Sequence, residues 1–175
     1  MNITSDNLVN TQSNEIYFAE YIPGCLSTLC AIQSKYYAKE WGFGALYESV
    51  IGAGVSEFLT RYNPKKDFVK LVMKNKEIIG GIVIDHRDGK TAQLRWFIIS
   101  EVARGTGAGQ KIFIEAMDFV KSSSFEQVFL TTFDGLDKAR SFYEKSGFSL
   151  TQSGVASTWG KEVVEQRFSW FAERK

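Results

Sequence analysis

The 175 residues predict an α+β fold: a mixed, mostly antiparallel sheet of six to seven strands flanked by about four helices. Three observations lead there. Apolar residues recur at helical spacing in two runs before residue 63, then switch to a period of two over residues 68–99. A glycine-rich segment, Arg104 to Gly109, separates that strand-rich block from a helix–strand–helix stretch. The chain then closes with two more strand-like runs about Trp159-Gly160.

The elements follow in order. Residues 1–14 are rich in Asn, Ser and Thr, lack a period, and read as a flexible N-terminal arm. Residues 15–175 carry no linker or repeat and read as a single domain. Glu15 to Ile22 alternates loosely as a first strand, ended by Pro23-Gly24. Leu26, Leu29, Cys30 and Tyr37 mark an amphipathic helix, stopped by Trp41-Gly42-Phe43-Gly44. Tyr47, Val50, Ile51, Val55, Phe58, Leu59 and Tyr62 mark a second helix, which closes at Asn63-Pro64 because the residue before Pro avoids helical geometry. Phe68–Lys74 and Glu77–Asp85 are strands about an Asn75-Lys76 turn. Paired Gly80-Gly81 inside a strand signals a bulge or a close approach. His86–Lys90 reads as a hairpin loop and Thr91–Ile99 as the fourth strand. A helix over Ile112–Val120, a strand over Gln127–Thr132 and a helix over Leu136–Ser146 follow, with Asp134 as the expected N-cap of the last. Phe148–Ser157 and Glu162–Phe171 form a final hairpin. The strand–helix–strand crossover should be right-handed, making the fourth and fifth strands parallel neighbours.

Composition removes several functions. Lys+Arg is 21 against 20 Asp+Glu, so the net charge of +1 lacks the basic excess of a nucleic-acid binder. No apolar run reaches the roughly eighteen residues of a membrane span, and the N-terminus lacks signal-peptide character, so the expected location is the cytoplasm. Cys25 and Cys30, five apart on a helix, point to different sides and read as buried free thiols. With one His in the chain, no metal site is expected.

Arg104-Gly105-Thr106-Gly107-Ala108-Gly109 lies at a strand–helix junction. Glycines there let a ligand approach the backbone, and the unpaired N–H groups of the helix start make an anion site. A P-loop fails, because Gly109 is followed by Gln110-Lys111 with no hydroxyl. A Rossmann turn fails on the last glycine spacing and on the antiparallel strands that precede the loop. The segment resembles the R/Q-x-x-G-x-G/A pyrophosphate loop of the GNAT family of N-acetyltransferases. Leu94-Arg95-Trp96-Phe97-Ile98-Ile99 stands where that family carries its acetyl-CoA-contacting fourth strand, and Ala139 to Phe148 is similar to its A-x-x-x-Y-E-K-x-G-F segment. The likeness covers about residues 15–175. It is greatest to the branch fused behind MarR-type winged-helix regulators, through Leu94–Ile98, the glycine loop and Trp159–Phe168, although these 175 residues contain no such regulator. One position departs: Leu136 stands where the family often has a pantetheine-holding Asn.

The resemblance implies acetyl-CoA as co-substrate, held by Phe97, Ile98, Ile99, Arg104, Gly105, Thr106, Gly107, Ala108 and Gly109. It implies direct transfer of acetyl to a primary amine, small-molecule or peptide, with Tyr143 as the acid that protonates the departing thiolate. A non-catalytic acyl-CoA sensor is the alternative. Homodimers are common among similar proteins. The base is open among Glu48, Glu57, Asp134 and Glu165, for each of which a solvated surface position is the favoured reading. His86, at the expected hairpin tip, reads as solvent-facing. Trp41, Glu48 and Trp159 are the expected acceptor-binding residues, against an ordinary core role for the two indoles.

Overall fold

A computed structural model describes residues 15–173; the expected arm at 1–14 lies outside the described residues. Strands β1 (Tyr17–Ala19), β2 (Phe68–Lys74), β3 (Glu77–Asp88), β4 (Thr91–Ile99), β5 (Gln127–Phe133), β6 (Ser149–Ala156) and β7 (Val163–Phe171) form one sheet in the order β1-β2-β3-β4-β5-β7-β6. Four α-helices pack on it: α1 (Cys25–Trp41), α2 (Ala45–Arg61), α3 (Ala108–Ser122) and α4 (Asp137–Lys145). All pairings are antiparallel except β4 with β5, the expected parallel pair.

Local chemistry sets the element ends. Gly24 and Gly42, both at positive φ, bracket α1. Asn75 and Lys76 at φ 51° and 65° make the tight two-residue turn between β2 and β3. A Cβ on Gly80 would fall 2.7 Å from the Ile98 carbonyl oxygen, so the close approach expected of the glycine pair is real. Two expectations fail. The His86–Lys90 loop is shorter than its sequence suggests, because β3 continues through His86 to Asp88 and leaves only Gly89-Lys90 as the turn. Asp134 does not cap α4, whose N-cap is Leu136 without a side-chain bond; the Asp134 carboxylate instead accepts a hydrogen bond from Gln166 Nε2 at 3.3 Å.

The sheet buries a core on each face. Val72, Ile82, Ile84, Ala92, Leu94, Val128 and Leu130 pack against α3 with Ile112, Phe113 and Ala116. Leu71, Met73, Val83, Trp96 and Ile98 pack against α1 and α2 with Leu26, Leu29 and Phe58. β4 therefore changes parity along its length. Ala92 and Leu94 face α3, yet Trp96 and Ile98, also even-numbered, face α1 and α2. The switch is a β-bulge: Val83 pairs with Arg95 and Gly81 with Ile98, and Trp96 adopts φ 46°. Arg95 and Trp96 consequently share one face, with the guanidinium 4.1 Å from the indole centroid.

Candidate active site

The bulge bends β4, and the β4–β5 ladder stops with it in prospect. Only Thr91, Ala92 and Gln93 pair with Gln127, Val128 and Phe129. The strands part from Leu94 onward. Ser100 N–H donates to Ile79 O, so Ile98 and Ser100 turn their main-chain groups toward β3. Strand alternation then turns those of Phe97 and Ile99 toward the gap.

On one side of that gap lies the glycine loop. Gly105 and Gly107 sit at φ 76° and 81°, conformations that side-chain-bearing residues rarely adopt, and nothing lies within 4 Å of where a Cβ would stand on either. The Thr106 hydroxyl donates to Ala103 O at 2.6 Å and accepts from Ala108 N–H at 3.3 Å. Among the described residues no protein group accepts from the N–H groups of Gly105, Gly107, Gly109 or Gln110. Gly109 packs against Ile99, with 3.0 Å between the Cγ1 atom and a Cβ placed there, so the helix start abuts the end of β4. Ser100 Oγ, closed to solvent between β4 and the loop, has no partner among the described residues. Four free amides at a helix start, open space beside them and an orphaned hydroxyl suit a pyrophosphate-bearing group. The Arg104 guanidinium lies over the Tyr36 ring, 5.1 Å from its centroid.

On the other side a cleft of about 320 Å³ opens, lined by residues from α1, α2, β4, β5, α4 and β7 and by the β6–β7 turn. Tyr143 of α4 lines it. Its ring is held among Phe97, Phe113, Phe142 and Phe148, with centroids 5.9–6.5 Å away. Its hydroxyl has no protein partner among the described residues, and burial pushes the phenol well up from its ordinary value. Tyr37, facing it from α1, is also raised by burial, to about 12.

The three residues expected at the acceptor separate. Trp159 lines the cleft, tilted against Phe133 with the ring centroids 5.7 Å apart. Trp41 stands behind it, edge-on to Phe133 at 4.7 Å, and fills the space a Cβ on Gly135 would need, 2.5 Å away. Glu48 lies in a different groove, between α1 and α2, beside Cys30 and Ser34. Tyr37, Tyr47, Gln33 and Arg95 line the cleft without having been singled out. The signal available for the two tyrosines was their polar-tipped rings on helix faces that otherwise carry plain hydrocarbon.

Of the carboxylates considered as a base, Glu165 alone lines the cleft; its Oε1 accepts from Thr158 N–H at 3.1 Å. Glu57 belongs to an ion cluster instead. Desolvation works to raise it, but hydrogen bonds from Arg87 and Arg61 hold its carboxyl below the usual range. At the centre of that cluster the fully buried Asp85 meets Arg61 at 2.6 Å, Arg95 at 2.9 Å and Arg87 at 3.1 Å. His86 is correspondingly no exposed loop residue: its Nδ1 lies 2.5 Å from Asp67 Oδ1. Ligand atoms of Asp67, Asp85 and His86 come within 4.8 Å of one another, but arginines, the His86 ring and the Asn63 and His86 amides already occupy the carboxylates. Cys25 is buried, while Cys30 is half-buried with its thiol pushed up by burial to about 11.

Comparison with known proteins agrees with this architecture. A model of the acetyltransferase (GNAT) family matches residues 26–148. An acetyltransferase from Streptococcus agalactiae superposes with a TM-score of 0.67 at 20% identity, over 90% of this chain and 98% of its own. A GNAT family acetyltransferase from Staphylococcus aureus gives 0.71 at 18% identity, over 91% and 100%. One from Elizabethkingia anophelis, with acetyl-CoA bound, gives 0.60 at 16%, over 91% and 99%. No curated protein matches the sequence. At these identities the structural likenesses speak to the fold.

Proposed function

The chain belongs to the GNAT acetyltransferase family, and from that membership we propose that it moves the acetyl group of acetyl-CoA to a primary amine, by direct transfer in a ternary complex. Residues 15–175 act as one cytoplasmic transferase domain in this reading. The observation that carries it is the split between β4 and β5, which joins the free helix amides on one side to the Tyr143-lined cleft on the other. Among the described residues no helix is long and apolar enough to cross a membrane.

The N–H groups of Gly105, Gly107, Gly109 and Gln110 would hold the pyrophosphate, with Arg104, Thr106 and Ala108 framing them. The main chain of Phe97 to Ile99 would hold the pantetheine arm and donate to the thioester oxygen as charge develops there. Bound acetyl-CoA supplies a thioester carbonyl that a neutral amine attacks, forming C–N and releasing C–S. The Tyr143 hydroxyl gives its proton to the departing sulfur, the nitrogen releases its surplus proton to solvent, and the phenolate regains one from solvent. Burial keeps that phenol in its acid form. Direct transfer is supported because neither cysteine lines the cleft. The test is thiol release from acetyl-CoA with a panel of primary amines. Binding of acetyl-CoA without thiol release for any of them would overturn the transferase reading and leave an acyl-CoA-binding module.

A further inference from the structure

We infer that the acceptor is a small cationic amine with an aromatic or apolar body and no acidic group; this rests on the transferase reading above. Three features of the cleft carry it. Its acceptor-side wall is aromatic, built by Tyr37, Tyr47, Phe133 and Trp159. Such rings pack an apolar body and attract an ammonium through their faces. Its one carboxylate among the described residues is Glu165 on β7, which pairs with Phe133 and so stands on the same face of the sheet. That carboxylate draws in an ammonium and repels a substrate carboxylate or phosphate.

The third feature is the state of the one cation in the lining. An α-amino acid or a phosphorylated amine needs an available Arg or Lys to receive its anion. Among the described residues Arg95 is the only such residue lining the cleft, and its guanidinium is committed through Nη1 and packed on its face and edge. Nη1 lies 2.9 Å from Asp85 Oδ2 and 3.7 Å from Glu57 Oε2. The plane lies over Trp96. A Cβ on Gly54 of α2 would stand 2.1 Å from Nη2, so α2 closes on the remaining edge. Releasing Arg95 to a ligand would strip a contact from the fully buried Asp85. The surplus positive charge of the cluster sits with Arg61 and Arg87, which reach solvent. Lys161, next to the Trp159 turn, donates to Trp41 O and does not line the cleft. The small volume completes the argument, since about 320 Å³ is at the lower end for small-molecule sites.

The test is a matched pair, phenethylamine and phenylalanine, which differ by one carboxylate. Thiol release from acetyl-CoA should give phenethylamine a kcat/KM at least about tenfold higher. Calorimetry with CoA present should show the same preference in Kd. Glu165→Gln, which keeps an oxygen for the Thr158 N–H, should raise the KM for phenethylamine about fivefold or more and leave the KM for acetyl-CoA unchanged. Equal or better use of phenylalanine, or an unmoved phenethylamine KM in the folded Glu165→Gln protein, overturns the inference while transfer stands. No thiol release with any amine, despite acetyl-CoA binding, overturns the transferase reading and this inference with it.

Discussion

The two sides of the β4–β5 split are built differently. On the α3 side the groups proposed to recognise the ligand belong to the main chain, and seven consecutive residues, Arg104 to Gln110, present them. On the α1–α2 side they are side chains collected from Gln33 to Glu165. The rings around Tyr143 on the first side are phenylalanines, which only pack; those on the second are largely tyrosine and tryptophan, which pack and also offer a polar tip. A ligand part of fixed shape can be gripped by backbone geometry written into one short segment. A part that must be chosen among many shapes needs a surface assembled by tertiary structure.

That contrast can be broken or sharpened experimentally. The largest effect should come where the two sides meet. Tyr143→Phe should lower kcat by about 10²–10⁴-fold, the range for a positioned general acid, with CoA affinity unchanged and little loss of melting temperature, since the hydroxyl has no partner among the described residues. Because burial raises this phenol, the acid form persists above its ordinary pKa, so kcat should show no descending limb assignable to Tyr143 below about pH 10. An unchanged kcat in the variant would hand protonation to solvent.

The next effect isolates the backbone side. Gly107→Asp should weaken CoA by roughly a hundredfold, because a charge-assisted hydrogen bond carries up to about 3 kcal/mol and a carboxylate there repels phosphate. Gly107→Asn imposes the same positive-φ strain without charge and should weaken CoA far less. Equal calorimetric losses in the two variants would show that conformation, not charge, governs the loop.

Smaller effects separate the tryptophans. Trp159→Ala should raise the acceptor KM about tenfold and leave the acetyl-CoA KM alone, given the roughly 1–3 kcal/mol carried by an apolar pocket contact. Trp41→Ala should act mainly on stability, toward the lower end of about 3–5 kcal/mol, because it packs behind the cleft wall. Melting curves and kinetics on both proteins distinguish a lining residue from a supporting one. The smallest effect belongs to Arg104→Ala, no more than about tenfold on CoA affinity, since its guanidinium lies on Tyr36 while the loop amides face outward. A complete loss in a folded variant would give the side chain the larger part.

How far the sequence could be read follows the same division. The conformation of the glycine loop was legible because its demands reside in adjacent residues, with Gly105 and Gly107 both at positive φ. β4 was legible because its burial alternates along its whole length. The same regularity hid the bulge: Ala92, Leu94, Trp96 and Ile98 alternate perfectly, and only their partners reveal that the buried face changes between Leu94 and Trp96. In a strand covered on both sides, hydrophobic pattern carries no record of which side is which. Asp134 looked like a cap because it precedes a helix, but the helix began three residues later. Glu48 is close in sequence to Trp41-Gly42-Phe43-Gly44, yet α2 turns it into another groove. The place of Arg95 in the cleft exists only once α1, α2 and β4 are packed together.

The brevity of the β4–β5 ladder has a mechanical meaning. Seven strands are laced as four and three, and the lacing between the two groups is three residue pairs long. The two groups are stitched at one end, where Glu126 and Gln127 also donate to Lys90 O, and are free of each other at the end where Tyr143 and the glycine loop lie. Such a sheet is a peg with a short spring. A slight rotation at Thr91–Gln93 opens or narrows the jaws by an amount that grows with distance from the seam, while the antiparallel ladders inside each half stay intact. Whatever wedges between Phe97 and Leu130 therefore sets the angle between two rigid plates, and amide exchange along the free edges of β4 and β5 would record that angle being fixed.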